Sequence, residues 1–222
     1  MKRILLVEDD PDLAAGLAFA LEEEKYSVKC ATDAAKTRAL FGEPFDLVVL
    51  DVMLPDGSGF DLCREIRKQS NVPVLFLTSR DDELDIVKGL DGGGDDYVTK
   101  PFRLRVLLSR IKALLRRGSA GTSAQLGNVR LNAERGQAYV GPSELMLTST
   151  EYRLLSLLIS HAGQILRREE ILSSLWDVRG DYVDDNTLSV HIRHLREKLA
   201  VAGSTAMIAT VRGLGYRLEV RS

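Results

Sequence analysis

The sequence has 222 residues, 45% of them hydrophobic and 28% charged, which is the balance of a globular chain long enough for two domains and not of a disordered or fibrous one. A net charge of −2 excludes a uniformly basic nucleic-acid-coating protein, and no apolar run approaches the ~18 residues of a membrane span. The two halves differ slightly. Residues 1–117 carry a net charge of −3, and residues 118–222 carry +1 together with all three histidines, so any nucleic-acid site has to be a local patch. Cys30 and Cys63 lack metal-ligand spacing and are expected to be two buried free thiols in a reducing cytoplasm.

In chain order, Ile4 to Val7 predicts a buried strand, and not a signal peptide, followed by Glu8-Asp9-Asp10. Pro11 suits the first turn of a helix that places Leu13, Leu17, Ala20 and Leu21 on one side. Val28 to Ala31 is a second strand and Ala34 to Phe41 a second helix. Leu47 to Leu50 is an unbroken apolar run, the pattern of a strand covered on both faces, and Asp51 stands at its end before the turn Pro55-Asp56-Gly57. Phe60, Leu62, Cys63 and Ile66 mark the next helix, and Val74 to Thr78 a fourth strand. Leu84 to Leu90 reads as a helix that stops at Gly92-Gly93-Gly94. Tyr97 to Lys100 is a fifth strand, and Leu104 to Leu115 a last helix. This alternation predicts an α/β doubly wound, flavodoxin-like sheet of five parallel strands.

The carboxyl ends of such strands are where ligands bind. Here they deliver Glu8, Asp9, Asp51, Thr78 and Lys100. Carboxylates gathered there repel unless a cation lies among them, and oxygen-only ligands suit Mg²⁺. Lys100 adds fixed positive charge and Thr78 a hydrogen-bond donor, so the group is suited to placing a phosphoryl group on Asp51. An acidic pocket balanced by lysine, with no chemistry, is the alternative reading.

Glu8-Asp9, Asp51, Thr78, Tyr97 and Lys100-Pro101 closely resemble the receiver domain of two-component response regulators. The resemblance covers residues 1–117. It implies that Asp51 accepts a phosphoryl group from a sensor histidine kinase. It also implies that Asp9, Asp51 and the backbone carbonyl of Met53 hold Mg²⁺ with Glu8 acting through water, that Thr78 and Tyr97 form a switch pair, and that Lys100-Pro101 is a cis peptide. Gly92 and Gly94 stand where the family usually has Ala, which is expected to loosen the loop before the fifth strand.

Gly118 to Ser123 is small and polar, so residues 118–124 are read as a linker and 125–222 as a second domain. Its β segments are predicted at Val129 to Leu131, Gln137 to Val140 and Leu145 to Leu147. Thr148 with Glu151 forms a capping box before a helix, and a second helix runs from Arg168 to Trp176. A polar loop, Asp177 to Asp184, leads to a third, in which Leu188, Ile192, Leu195 and Leu199 form one buried stripe. Asn186, Ser189, Val190, Arg193, His194 and Glu197 are expected on the opposite side, where Arg and His meet phosphates or base edges and Val190 a thymine methyl. An ordinary solvated face is the alternative. Met207 to Arg212 and Tyr216 to Val220 predict a hairpin around Gly213-Leu214-Gly215.

The segments 148–155, 190–199 and 210–218 are strongly similar to the α+β winged helix-turn-helix effector domain of the OmpR/PhoB family. That resemblance implies a recognition helix at 185–199 in the major groove of double-stranded DNA, with His191 and Arg196 among its contacts, and Arg212 in the minor groove. It further implies a homodimer on phosphorylation, through the helix at 84–90, the fifth strand and the helix at 104–115. Asp91, Asp96, Arg110 and Lys112 match charged positions of that face, whereas Ile86 and Val106 replace an ion pair and are expected to pair as an apolar contact. The expected protein is a cytoplasmic, non-membrane transcription regulator and not an enzyme, with RNA polymerase a further candidate partner. A phosphatase using an aspartyl-phosphate is the rival, but Met53 stands where such enzymes commonly need a second acid. A regulator that binds DNA without phosphorylation is a third reading, against which the acidic site argues.

Overall fold

The computed structural model describes residues 1–79, 89–116, 124–176 and 185–221, without the side chains of residues 185 and 186. The chain divides into two compact units, Met1–Leu115 and Arg116–Ser222. In the first, the apolar runs become β1 (Arg3–Val7), β2 (Ser27–Ala31), β3 (Leu47–Asp51), β6 (Val74–Thr78) and β7 (Asp96–Thr99), with a short hairpin β4 (Met53–Leu54) and β5 (Gly57–Ser58) between β3 and β6. The five long strands form one parallel sheet in the order β2-β1-β3-β6-β7. Every residue of β3 and β6 is buried, as expected of strands covered on both faces by helices.

The helices are α1 (Pro11–Glu23), α2 (Ala34–Ala39), α3 (Gly59–Arg67) and α4 (Leu104–Leu115). Asp10 caps α1, accepting from the N–H groups of Asp12 and Leu13 at 2.9 and 3.1 Å, so the third acid after β1 is structural. Of the helix expected at 84–90, only its end at Gly89–Asp91 lies within the described residues. Of the linker expected at 118–124, residues 118–123 lie outside the described set.

Two expectations are corrected in this unit. Cys30 is exposed on β2, an edge strand, and only Cys63 is buried; burial pushes the Cys63 thiol up to about 11. Of Gly92 and Gly94, expected to loosen the loop before β7, Gly94 is instead a tightly packed position. A methyl group on Gly94 would lie 2.5 Å from the Phe76 ring, and one on Gly89 2.7 Å from the Phe60 ring. Those rings pack edge to face, 5.2 Å between centroids, in the space the two glycines leave.

In the second unit, β8 (Gln125–Leu126), β9 (Val129–Asn132), β10 (Gln137–Val140) and β11 (Ser143–Leu145) form an antiparallel sheet. β11 lies two residues before its expected position, and Met146 is exposed. α5 (Ser149–Ser160), α6 (Arg168–Trp176) and α7 (Asp185–Val201) follow, with a two-residue strand β12 (Leu166–Arg167) before α6. β13 (Ala206–Val211) and β14 (Gly215–Val220) form the closing hairpin, and β12 pairs with β14 on its other side. The predicted stripe of Leu188, Ile192, Leu195 and Leu199 is buried in this unit's core with Trp176 and Leu154. These elements are the winged helix-turn-helix arrangement.

Gly94→Ala is expected to cost about 1–3 kcal/mol by overpacking against Phe76, measured by urea unfolding, and adding Phe76→Leu should recover part of it. Lys25, just past the end of α1, has φ +66°, a conformation that suits glycine. Lys25→Gly should raise stability by about 0.5–1 kcal/mol, because relief of the left-handed strain exceeds the added freedom of the unfolded chain. A lowered urea midpoint would contradict this.

Candidate functional site

The site of the first unit lies where β1, β3, β6 and β7 end. Glu8 continues β1, held by a bond from its N–H to the Ala31 carbonyl at 3.0 Å, and its side chain is buried. Asp51 is the last residue of β3, opposite Leu77 in the parallel register, and is buried as well. One of its oxygens, Oδ1, accepts from the Met53 N–H at 2.8 Å, and the other, Oδ2, lies 2.5 Å from Lys100 Nζ. The same ammonium lies 2.8 Å from both oxygens of Glu8. The Lys100 N–H donates to the Thr78 carbonyl at 2.6 Å, and the Lys100-Pro101 peptide is cis.

Burial pushes the Glu8 carboxyl above the usual carboxylate range; bonds from Lys100 oppose this and the charge of Asp51 adds to it. For Lys100, burial acts downward, but bonds to Asp51 and Glu8 outweigh it and hold the amine above its ordinary value. It is therefore a fixed cation at neutral pH. Exposed Asp9 completes the group: ligand oxygens of Glu8, Asp9 and Asp51 all lie within 4.8 Å of one another. Three hard oxygen donors so close suit a small divalent cation such as Mg²⁺. Thr78 and Tyr97 are both largely buried, on the neighbouring strands β6 and β7.

Sequence reasoning missed Gly59. Its N–H donates to the Val52 carbonyl at 2.9 Å, and a methyl group there would lie 2.1 Å from the Asp51 carbonyl oxygen. The β4–β5 hairpin thus turns tightly over Asp51 and leads straight into α3. The signal was Gly57-Ser58-Gly59, two glycines around the Ser58 cap of α3.

In the second unit, the outward side of α7 is narrower than expected. Ser189 and Arg193 are exposed. Val190 and His191 are buried, and the His191 ring lies 6.2 Å from the Trp176 ring, so Val190's place on the outward face is corrected, and His191, given as a DNA contact, faces the interior. A 3.6-residue period puts positions 190 and 191 beside the apolar stripe at 188, 192 and 195. Arg196 braces the hairpin: its Nε donates to the Ile208 carbonyl at 2.9 Å and a terminal nitrogen to Thr210 Oγ1 at 2.7 Å. His194 is half-buried, its Nδ1 3.9 Å from Glu151. The side chain of Asn186 lies outside the described residues. Arg212 is exposed at the hairpin tip.

Arg168 was not singled out from sequence. Its guanidinium donates to Tyr216 Oη at 2.5 Å and Ser189 Oγ at 3.0 Å, joining the start of α6, the hairpin and α7. Gly215 permits this crossing, since a methyl group there would meet the Leu166 carbonyl oxygen at 2.0 Å.

Of the predicted dimer face, Asp96 and Arg110 are buried against each other, one guanidinium nitrogen 2.6 Å from both carboxylate oxygens. Lys112 pairs with Glu24 at 2.7 Å. Within the unit all three are already paired, Asp96 and Arg110 in the interior and Lys112 at the surface. Asp91 is exposed, Val106 is half-buried, and Ile86 lies outside the described residues.

The response regulator receiver domain model matches residues 4–112, and the model for the C-terminal domain of transcriptional regulatory proteins matches 142–218. The chain is 41% identical over 228 residues to the sensory transduction protein RegX3 of Mycobacterium tuberculosis, covering 99% of this chain and 100% of that one. It is 39% identical to the response regulator ArlR of Staphylococcus aureus, over 97% and 99% of the two chains. Among solved structures, a mutant of RitR aligns with TM-score 0.77 at 31% identity over 98% and 99% of the two chains. DrrB of Thermotoga maritima, described as an OmpR/PhoB homolog, aligns over the full length of both chains at 29% identity and TM-score 0.54. No described helix is long and apolar enough to cross a membrane.

Buried Glu151 ties α7 to α5. Its carboxylate accepts from the Thr148 N–H at 2.8 Å and pairs with Lys198 at 2.5 Å. Glu151→Gln should destabilise the second unit by about 1–2 kcal/mol, read from tryptophan fluorescence of buried Trp176 during urea unfolding. An unchanged midpoint would contradict that role.

Proposed function

The chain belongs to the OmpR/PhoB family of response regulators, and we propose that phosphorylation of Asp51 switches its activity in transcription. Residues 1–117 would be the phosphoacceptor domain, 118–124 the linker and 125–222 the DNA-binding domain. The observation that carries this is the grip on Asp51: one oxygen on the Met53 N–H, the other on Lys100, with Glu8 and Asp9 alongside. A carboxylate oxygen of Asp51 attacks the phosphorus of a phosphohistidine on the sensor kinase; the P–O bond forms as the P–N bond breaks and the imidazole leaves. Lys100 then faces the transferred oxygens, and Thr78, at the end of β6 opposite Thr99, offers its hydroxyl to one of them.

Glu8, Asp9, Asp51 and the Met53 carbonyl would hold Mg²⁺, which supplies charge compensation for the incoming phosphoryl group. Glu8, buried beside Asp51, would act on the cation through water. The relatives are regulators, and the chain is read as a regulator and not an enzyme. Phosphorylation would favour a homodimer through the face around Asp91 and Val106, placing two copies of α7 on double-stranded DNA. Ser189 and Arg193 would reach the major groove and Arg212 the minor groove. These partners imply a cytoplasmic protein, with RNA polymerase a further candidate partner.

The test uses a small-molecule phosphodonor with Mg²⁺ and intact-mass detection. The wild-type chain should gain one phosphate, Asp51→Asn none, and chelation of Mg²⁺ should suppress labelling. A phosphate on the Asn variant would overturn the assignment.

A further inference from the structure

We infer that Arg167 binds a phosphate of the DNA backbone; this rests on the DNA-binding reading above. Arg167 is the last residue of β12 and immediately precedes α6. Its N–H donates to the side chain of Glu170 at 2.8 Å, which makes it the cap residue and Glu170 the third residue of the helix. The reciprocal bond of a capping box is missing, because a guanidinium has no acceptor to offer the helix N–H groups. Ser, Thr, Asp or Asn at this position would stabilise the helix. A residue that gives up that bond at an exposed position is better explained by what its side chain meets outside the chain.

The surroundings say what that is. Arg167 and Arg168 line one wall of a cleft of about 470 Å³, and the β13–β14 hairpin lines the other. Arg168 is anchored on Tyr216 and Ser189. Among the described residues, no hydrogen bond or ion pair of the Arg167 guanidinium is present. Glu169 contributes one negative charge to the cleft against two guanidinium groups. The hairpin that forms the far wall carries Arg212 at its tip, and Arg168 of the near wall bonds to Ser189 of α7, so the cleft adjoins both elements read as entering the grooves. Between a major-groove helix and a minor-groove hairpin runs the sugar–phosphate backbone. An exposed guanidinium there meets a phosphate and carries no sequence information.

The test measures the full-length chain on a footprinted operator duplex and an unrelated duplex across a range of salt concentrations. Arg167→Ser should lower the magnitude of the slope of log affinity against log salt by about 0.9 on both duplexes, one phosphate contact fewer. The same variant, with a cap restored, should melt about 4 °C higher when free of DNA. Arg167→Lys should keep the slope without the gain in melting temperature. A loss confined to the operator would overturn the phosphate assignment in favour of a base contact. An unchanged slope with Arg193→Ala still impaired would overturn the Arg167 site alone, and unchanged binding by both variants would overturn the DNA-reading face along with it.

Discussion

The receiver unit depends on the contact of one ammonium with two buried carboxylates. Glu8 and Asp51 end adjacent strands, and two acids brought this close out of water would repel and drive each other toward protonation. Lys100 relieves the conflict in part, with three short contacts to their oxygens. Its position follows from the register that sets Thr78 opposite Thr99 and from the bond of its own N–H to the Thr78 carbonyl. Parallel pairing, an apolar core and site geometry are thus one constraint. Slipping β7 by one residue would turn its side chains to the other face and withdraw the cation from two acids that cannot reach bulk water.

The second unit repeats the device with a different purpose. Glu151 is buried and serves the cap of α5, Lys198 and His194 together. Arg168 and Arg196 do the same around Tyr216, whose ring lies 5.6 and 5.8 Å from the two guanidinium carbons. These contacts fix how α7 and the hairpin stand relative to α5 and α6. The outward residues Ser189, Arg193 and Arg212 are therefore carried on a braced frame, which limits the order a ligand must impose.

The strands, the acids at their ends and the capping box were legible because each has a local signature: an unbroken apolar run, a carboxylate just after it, Thr148 three residues before Glu151. What escaped the sequence depends on distant pairs. Gly94 reads as a loose position until Phe76 is seen filling the space over it, and Gly59 as a turn residue until the Asp51 carbonyl is seen against it. Val190 and His191 were not recognised as buried because a helical stripe has edges, and whether an edge residue faces core or solvent is decided by what packs beside it; for His191 that is Trp176, fifteen residues earlier. Charges on the α4 side were legible as charges and not as pairs.

That last distinction bears on assembly. Asp96 and Arg110 are both buried, and the desolvation of each is already met by the other. A dimer that exchanged this pair for the same pair between two chains would break one close contact for every one it made, so the exchange adds direction and little affinity. Lys112 with Glu24 follows the same logic with smaller stakes, being half in solvent. Net attraction on that face has to come from surface not yet committed. Leu104 is 44% exposed and Val106 half-buried, on the same helix that carries Arg110 and Lys112. Burying aliphatic groups contributes without the loss of an existing partner. In a dimer built on this face the division of labour would be set by chemistry: apolar residues of α4 would supply the affinity, and the charged pairs around them would decide which chain is accepted and in which register.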